Sequence, residues 1–384
     1  MMWYFLLIPL LIYVGLVIWF IKGWARLENR NLKFENGLAL DERKLSNTKV
    51  TLIIPCRNES QNILRILKAI DQQKFDFKNL ELILVDDHST DKTVEEILNF
   101  KFQISDFKLQ VLQLSETEFG KKAAIKKAIE ISKGELIVCT DADCEFGVDW
   151  LSAMTSAFHS PEIKMVTGPV MFFERPGFWN QLMQLEFLSL IGIGAASVKN
   201  GHPNMCNGAN IAYRKSAFNS VNGFEGNEHI PSGDDEFLMH KIHEKFKGGV
   251  QFLKKHEAIV YTQPPQSLSE FVNQRIRWGS KAGHYKSFKS KLLPAFMYLF
   301  NVVLFFTPLL YFAGMPWKLI AILWLGKLSI EIVFFATILP FFRSSKILDL
   351  VIPAQIFHVV YISVIGVLSV IVPYSWKQRK SSKI

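Results

Sequence analysis

Cysteine is scarce. The four positions, Cys56, Cys139, Cys144 and Cys206, show no paired metal spacing. They read as reduced, mostly buried thiols in a cytosolic domain. No Gly-x-Gly-x-x-Gly follows the first strand-like segment, which argues against a dinucleotide site, and no Walker lysine loop is present, which argues against an ATPase. No exposed Ser or Cys elbow suggests a hydrolase. No basic stretch is interleaved with aromatics, so the formal charge of +9 does not indicate a nucleic-acid partner. Basic flanks that hold a chain to an anionic leaflet account for it.

Met1 to Ile21 contains no charge within 384 residues that are 49% hydrophobic, with a mean hydropathy of +0.17. A run of about 20 apolar residues is long enough to cross a bilayer. It begins without a basic n-region and ends without a small-residue cleavage site, so residues 1–22 are expected to form a transmembrane helix rather than a signal peptide. Lys22, Arg26 and Arg30 then put the following segment, a basic linker over 23–47, in the cytoplasm. A second apolar block over 292–376 divides into candidate spans near 293–314, 317–341 and 347–373, two or three of which cross. Lys281, Lys286, Lys289 and Lys291 precede it, and Arg343 and Lys346 interrupt it. The basic tail over 377–384 does not fit three simple crossings. Pro353 would allow a break of the last segment into an interfacial piece and a shorter span. Lys327 and Glu331, four residues apart within the second span, line a polar path or neutralise each other at a helix contact.

Between the apolar blocks, residues 48–285 are enough for one α/β domain. Val50 to Pro55 reads as a strand, Asn58-Glu59-Ser60 as a helix cap, and Leu80 to Val85 as a second strand ending in Asp86-Asp87. Ser89-Thr90-Asp91 caps another helix. A third strand over 109–114, a basic helix over 121–132 and a strand over 135–140 follow. Strands joined by helices imply a parallel sheet with right-handed crossovers, and the ends of such strands bind ligands. Two of them end in paired acids, Asp86-Asp87 and Asp141-Ala142-Asp143. A solvated strand-to-loop turn explains either pair alone; their convergence on one sheet edge suits a hard divalent cation and a diphosphate.

Ser232-Gly233-Asp234-Asp235-Glu236 is either an acidic first turn favoured by a helix dipole or the home of a general base, Asp235. Gln274-Arg275-Ile276-Arg277-Trp278 is either an interfacial anchor or a diphosphate clamp through Arg277 with Trp278 as a stacking wall. The stretch from Phe178 to Ile193 reads as a membrane-interface helix or a buried one; a crossing there would split the domain across the bilayer.

Taken together, residues 48–280 resemble the family-2 membrane-bound inverting glycosyltransferases of GT-A fold. The matching segments are Ile54-Pro55-Cys56-Arg57-Asn58-Glu59, Val85 to Asp91, Gly120-Lys121, Asp141-Ala142-Asp143, Gly233-Asp234-Asp235 and Gln274-x-x-Arg277-Trp278. Two positions depart from the pattern: Asp234 stands where Glu is usual, and Lys126 where Asn is frequent. The resemblance implies a cytosolic α/β, mostly parallel GT-A domain with transmembrane helices at both ends. It implies a nucleotide-sugar site at Pro55, Asn58, Glu59, Asp86, Asp87, Lys121 and Asp141, and Mg²⁺ or Mn²⁺ on Asp141 and Asp143. Asp235 is the implied base, assisted by Arg277, and Gln274, Arg277 and Trp278 are the implied acceptor and diphosphate contacts. The expected reaction is transfer from a UDP-sugar to a lipid-linked or growing saccharide acceptor at the cytoplasmic face of the cell membrane. A single-addition glycolipid transferase and a non-catalytic nucleotide-sensing module are the alternatives.

Overall fold

The structure is a computed structural model that describes residues 2–27, 48–103, 108–228, 230, 232–284, 288–373, 375–376 and 379–380. Most of the expected linker over 23–47 and of the tail over 377–384 lies outside these residues. Two compact units are present: a helical unit of Met1–Arg26, Glu174–Ala196 and Pro264–Ile384, and an α/β unit of Leu27–Phe173 and Ser197–Gln263.

In chain order, helix α1 (Leu7–Arg26) is followed by β1 (Val50–Cys56), α2 (Ile63–Asp71), β2 (Leu80–Asp86), α3 (Thr93–Asn99) and β3 (Lys108–Gln113). Then come α4 (Gly120–Ile131), β4 (Leu136–Cys139), β5 (Glu145–Phe146), α5 (Trp150–Ser156), β6 (Met165–Thr167), β7 (Val170–Phe172) and α6 (Phe178–Lys199). The chain continues through β8 (Ile211–Arg214), α7 (Lys215–Ser220), α8 (Asp234–Lys245), β9 (Val250–Phe252), β10 (Val260–Thr262) and α9 (Leu268–Gly279). The last helices are α10 (Phe288–Phe305), α11 (Thr307–Phe312), α12 (Trp317–Ile338) and α13 (Val351–Ile371).

The main sheet has the order β3-β2-β1-β4-β8-β6-β9. β3, β2, β1 and β4 are parallel, and β8 runs antiparallel to β4 and β6. A second, three-stranded sheet has the order β5-β10-β7, with β10 antiparallel to β5 and parallel to β7. Every residue of β2 is buried, as are all but Pro55 of β1; strands covered on both faces are mostly apolar, and the buried exceptions Thr51 and Glu81 satisfy each other, the Thr51 hydroxyl donating to the Glu81 carboxylate at 2.8 Å. The amphipathic α4 turns Ala124, Ile125, Ala128 and Ile129 into the same core as Ile53, Ile83, Ile137, Tyr213 and Met239.

The strand order reverses between β1 and β4, which opens a crevice at the carboxyl ends of these strands. Register sets the height of what emerges there. Cys56 pairs with Asp86, and Ile53 pairs with Cys139, so Asp141 leaves β4 level with Pro55. Gly134, just before β4, is required by contact: a Cβ there would lie 2.4 Å from the Thr51 backbone nitrogen.

The first helix after β1 starts later than its expected cap. Asn58 takes a left-handed φ of 51°, residues 60–62 form a turn, and the helix begins at Ile63 with Asn62 as its cap residue. In the helical unit, Trp3–Arg26, Phe178–Lys199, Trp317–Ile338 and Ser345–Ile371 are long and apolar enough to cross a membrane. The candidate span near 293–314 is broken instead. It ends at Phe305 and restarts at Thr307-Pro308, because proline supplies no N–H to continue the preceding helix. Pro353 does not break the last helix: it sits in the first turn of α13, where no intrahelical N–H is needed. The Phe178–Lys199 helix is continuous and largely buried, with Leu185, Leu188, Ala195 and Ala196 all closed to solvent.

The Lys327–Glu331 pair belongs to a satisfied network. Lys327 Nζ lies 2.7 Å from Glu331 Oε1 and donates at 2.5 Å to Gln355 Oε1. The Tyr13 hydroxyl and the Gln355 amide both donate to Glu331. This joins α1, α12 and α13.

Candidate active site

The loops after β1 and β2 are knitted together by the polar residues that the sequence singles out. Asn58 Oδ1 accepts from the Thr90 amide at 2.8 Å, and the Glu59 amide donates to Thr93 Oγ1 at 2.7 Å. Arg57 donates to the carbonyls of Asp87 at 2.6 Å and His88 at 3.1 Å. His88, like Asn58, adopts positive φ, at 58°, and such strained non-glycine residues concentrate at functional loops. Asp86 and Asp87 are both buried. Asp86 accepts from the Ser89 amide at 3.2 Å, and Asp87 Oδ2 accepts from the Gly120 amide at 3.1 Å. The second contact fixes the start of α4 against the end of β2. Gly120 itself, at φ 88°, makes the turn into that helix.

The next residue, Lys121, reaches the cluster of acids. Its Nζ lies 2.5 Å from Asp141 Oδ1 and 3.6 Å from Asp234 Oδ2. Burial alone would lower the lysine pKa, but the nearby carboxylates of Asp141, Asp234 and Asp235 outweigh it and raise the pKa above the ordinary lysine value. Gly208 closes the other side. A Cβ there would come within 2.9 Å of Lys121 Nζ, 3.3 Å of Asp234 Oδ2 and 3.4 Å of the Asp235 Cβ. Nothing in the sequence marks Gly208 for this role, because a glycine's use in close approach shows only in three dimensions.

Gly233, at φ 78°, starts α8 with Asp234, Asp235 and Glu236 in its first turn. Asp235 is half-buried and its Oδ1 accepts from the Glu236 amide at 2.8 Å. The preceding loop is latched by Lys122, which donates to the carbonyls of Asn227 at 2.6 Å and Ile230 at 2.7 Å. Asp143, beyond β4, lies 3.6 Å from the Cys144 thiol. Burial raises the thiol pKa of Cys139 to about 12 and that of Cys144 well above the ordinary value, so neither is a nucleophile.

Asp141 and Asp143 fit a hard divalent cation by donor chemistry: both offer carboxylate oxygens, and an ammonium already sits against Asp141. Asp234 Oδ2 is buried without a hydrogen-bond donor. Among the described residues, no group of three or more His, Cys, Asp or Glu is arranged to hold a metal by itself. Phosphate oxygens and water would complete the shell, as is usual for Mg²⁺.

The Gln-x-x-Arg-Trp segment lies on α9 of the helical unit. Its buried polar member is Arg275, which pairs with Glu186, lies over the rings of Phe271 at 4.5 Å and Trp278 at 4.4 Å, and donates to Gln274. Tyr361 donates to the same Glu186 at 2.7 Å. Arg277 is half-buried. Sequence reasoning missed Arg275, since periodicity cannot tell which of two arginines on one short helix turns inward.

The α/β unit has the GT-A fold. Residues 51–221 match the model described as "Glycosyl transferase family 2"; this part of the chain is a glycosyl transferase family 2 domain. The chain is 26% identical over 286 residues to the poly-β-1,6-N-acetyl-D-glucosamine synthase of Staphylococcus aureus (strain COL), covering 72% of this chain and 64% of that one. It is 25% identical over 290 residues to the synthase of the same name from Staphylococcus epidermidis, covering 73% and 65%. The alignment thus spans under two-thirds of the curated relatives' length. Among solved structures, the mannosyltransferase PcManGT from Pyrobaculum calidifontis, in complex with GDP-Man and Mn²⁺, superposes with a TM-score of 0.57 at 21% identity, over 95% of this chain and 96% of that one. That likeness establishes the fold.

Proposed function

We propose that this chain is a metal-dependent inverting glycosyltransferase. It moves a sugar from a UDP-hexose or UDP-N-acetylhexosamine to a lipid-linked or growing saccharide acceptor at the cytoplasmic membrane face. The observation that carries this reading is the convergence of Lys121, Asp141, Asp234 and Asp235 around Gly208. The donor's nucleoside is read by the knitted loops bearing Pro55, Asn58, Glu59, Asp86 and Asp87, and its diphosphate meets Lys121. Mg²⁺ or Mn²⁺ held by Asp141 and Asp143 would neutralise the diphosphate leaving group.

Asp235 takes the proton from an acceptor hydroxyl as that oxygen attacks the anomeric carbon. The bond to the diphosphate breaks on the opposite face, so the centre inverts. Fixed positive charge at the departing phosphate is the main electrostatic contribution. Gln274, Arg277 and Trp278 are assigned acceptor and diphosphate contacts on the strength of their motif.

Removing a general base costs about 10²–10⁴ in rate. Asp235→Asn keeps an oxygen that can accept from the Glu236 amide but loses the basicity. It is expected to bind UDP like the parent and to lose turnover by that factor in a UDP-release assay, with UDP-N-acetylglucosamine tested first. Parent-like turnover would exclude Asp235 as the base. The relatives' name favours a polymer product: a ladder of labelled products supports it, and one new labelled lipid indicates single addition.

A further inference from the structure

Lys121 holds the very carboxylate from which a divalent cation would draw a ligand. We propose that Lys121 is a resident counter-ion of the acidic cluster, occupying Asp141 in the ligand-free protein and giving it up when the cation and the donor diphosphate bind together. This rests on the reading of Asp141 and Asp143 as metal ligands.

Three acids gather at one spot: Asp141 after β4 and Asp234 at the start of α8 both face the Lys121 ammonium, and a Cβ on Gly208 beside it would lie 3.4 Å from the Asp235 Cβ. Like charges this close repel unless a cation stands among them. The Lys121 ammonium is that cation, 2.5 Å from Asp141 and 3.6 Å from Asp234, with its side chain only 19% exposed. Gly208 leaves just enough room for it, since a single added carbon would stand 2.9 Å from Nζ. Lys122 is committed to the carbonyls of Asn227 and Ile230 and does not share the task. A lysine suits a device that moves: its charge is compact, its stem is flexible and its donors rotate freely.

Two consequences follow. A metal ion arriving alone must take Asp141 from the ammonium, so it binds weakly. Diphosphate oxygens offer the released ammonium new acceptors, so metal and nucleotide strengthen each other's binding reciprocally. The effect of Lys121 is therefore read in metal affinity as well as in turnover.

The test is Mn²⁺ binding to the full chain in detergent, followed by loss of the free-ion electron paramagnetic resonance signal, with and without UDP. In the parent protein UDP is expected to tighten Mn²⁺ binding by roughly 5–150-fold, the usual range of coupling between two sites. Lys121→Met is expected to bind Mn²⁺ alone about tenfold more tightly or better, and to lose most of the UDP coupling. Gly208→Ala, which keeps the lysine but crowds its ammonium, is expected to move the same way by less. The proposal is overturned if both variants bind Mn²⁺ alone as the parent does, or more weakly. Asp141→Asn separates the two readings: if it leaves Mn²⁺ binding with UDP unchanged, the metal assignment itself fails. If it abolishes that binding while the Lys121 and Gly208 variants behave like the parent, only the counter-ion role fails.

Discussion

Replacing Lys327 by methionine removes one charge from a network enclosed by helices long enough to span a bilayer. The Lys327 side chain is fully buried and that of Glu331 is 12% exposed, so water cannot take over the lost contacts. Glu331 would keep hydrogen bonds from Tyr13 and Gln355 but lose its counter-charge. Breaking one side of a buried ion pair costs about 3–5 kcal/mol, and Glu331→Leu should cost a similar amount. In the double variant Lys327→Met/Glu331→Leu no uncompensated charge remains. The Tyr13 hydroxyl and Gln355 amide are left without their acceptor, at about 1–3 kcal/mol each. At the middle of these ranges the single variants sum to about 8 kcal/mol and the double costs about 4, so the pair should couple by about 4 kcal/mol, well beyond the ~0.5 kcal/mol within which independent sites add. Equilibrium unfolding in mixed micelles, run for the parent, both single variants and the double, measures that coupling. Additive single effects, or a Lys327→Met cost below about 1 kcal/mol, would refute the idea that this network is a structural clasp.

Two further predictions concern the α/β unit. Gly134→Ala would drive a carbon to within 2.4 Å of the Thr51 backbone nitrogen. Because that neighbour is backbone, the β1–β4 pairing must shift, at about 1–3 kcal/mol or more, visible as a lowered thermal midpoint. The second prediction is alkaline destabilisation. Burial holds the Cys139 thiol protonated up to about pH 12, whereas an unfolded thiol ionises near 8.5. Between those values the unfolded state binds fewer protons, so stability falls as pH rises, by at most about 1.4 kcal/mol per pH unit from this group. Chemical unfolding measured from pH 8 to 11 should show the decline, and Cys139→Ala should flatten it. A slope unchanged by that substitution would count against the assigned cause.

Much of the α/β unit was legible because its strands are locally unambiguous. Val50–Cys56 and Leu80–Asp86 are apolar runs ended by proline or acids, and the amphipathic pattern of the basic helix over Gly120–Ile131 follows from residue spacing alone. Helix starts were less legible. The turn at residues 60–62 depends on loop-to-loop bonds such as the Glu59 amide to Thr93 Oγ1, made by residues 34 apart. The break at Phe306 had a local cause in Pro308, but hydropathy counts residues and is blind to a missing N–H.

The sequence alone determined which residues could do chemistry. Carboxylates at Asp86, Asp87, Asp141, Asp143 and Asp235 stand at strand or helix ends, where their order and spacing also carry the family resemblance. It equally determined where charge-free apolar runs occur, because hydropathy is a property of a contiguous segment. Tertiary structure decided which of those groups meet. Sheet register set Asp141 level with Pro55, the Asp87–Gly120 contact aimed Lys121 at Asp141, and Gly208 left the space that the ammonium fills. It also turned Arg275 inward to Glu186. These outcomes rest on distances between residues remote in the chain, which only the packed core fixes to within an ångström.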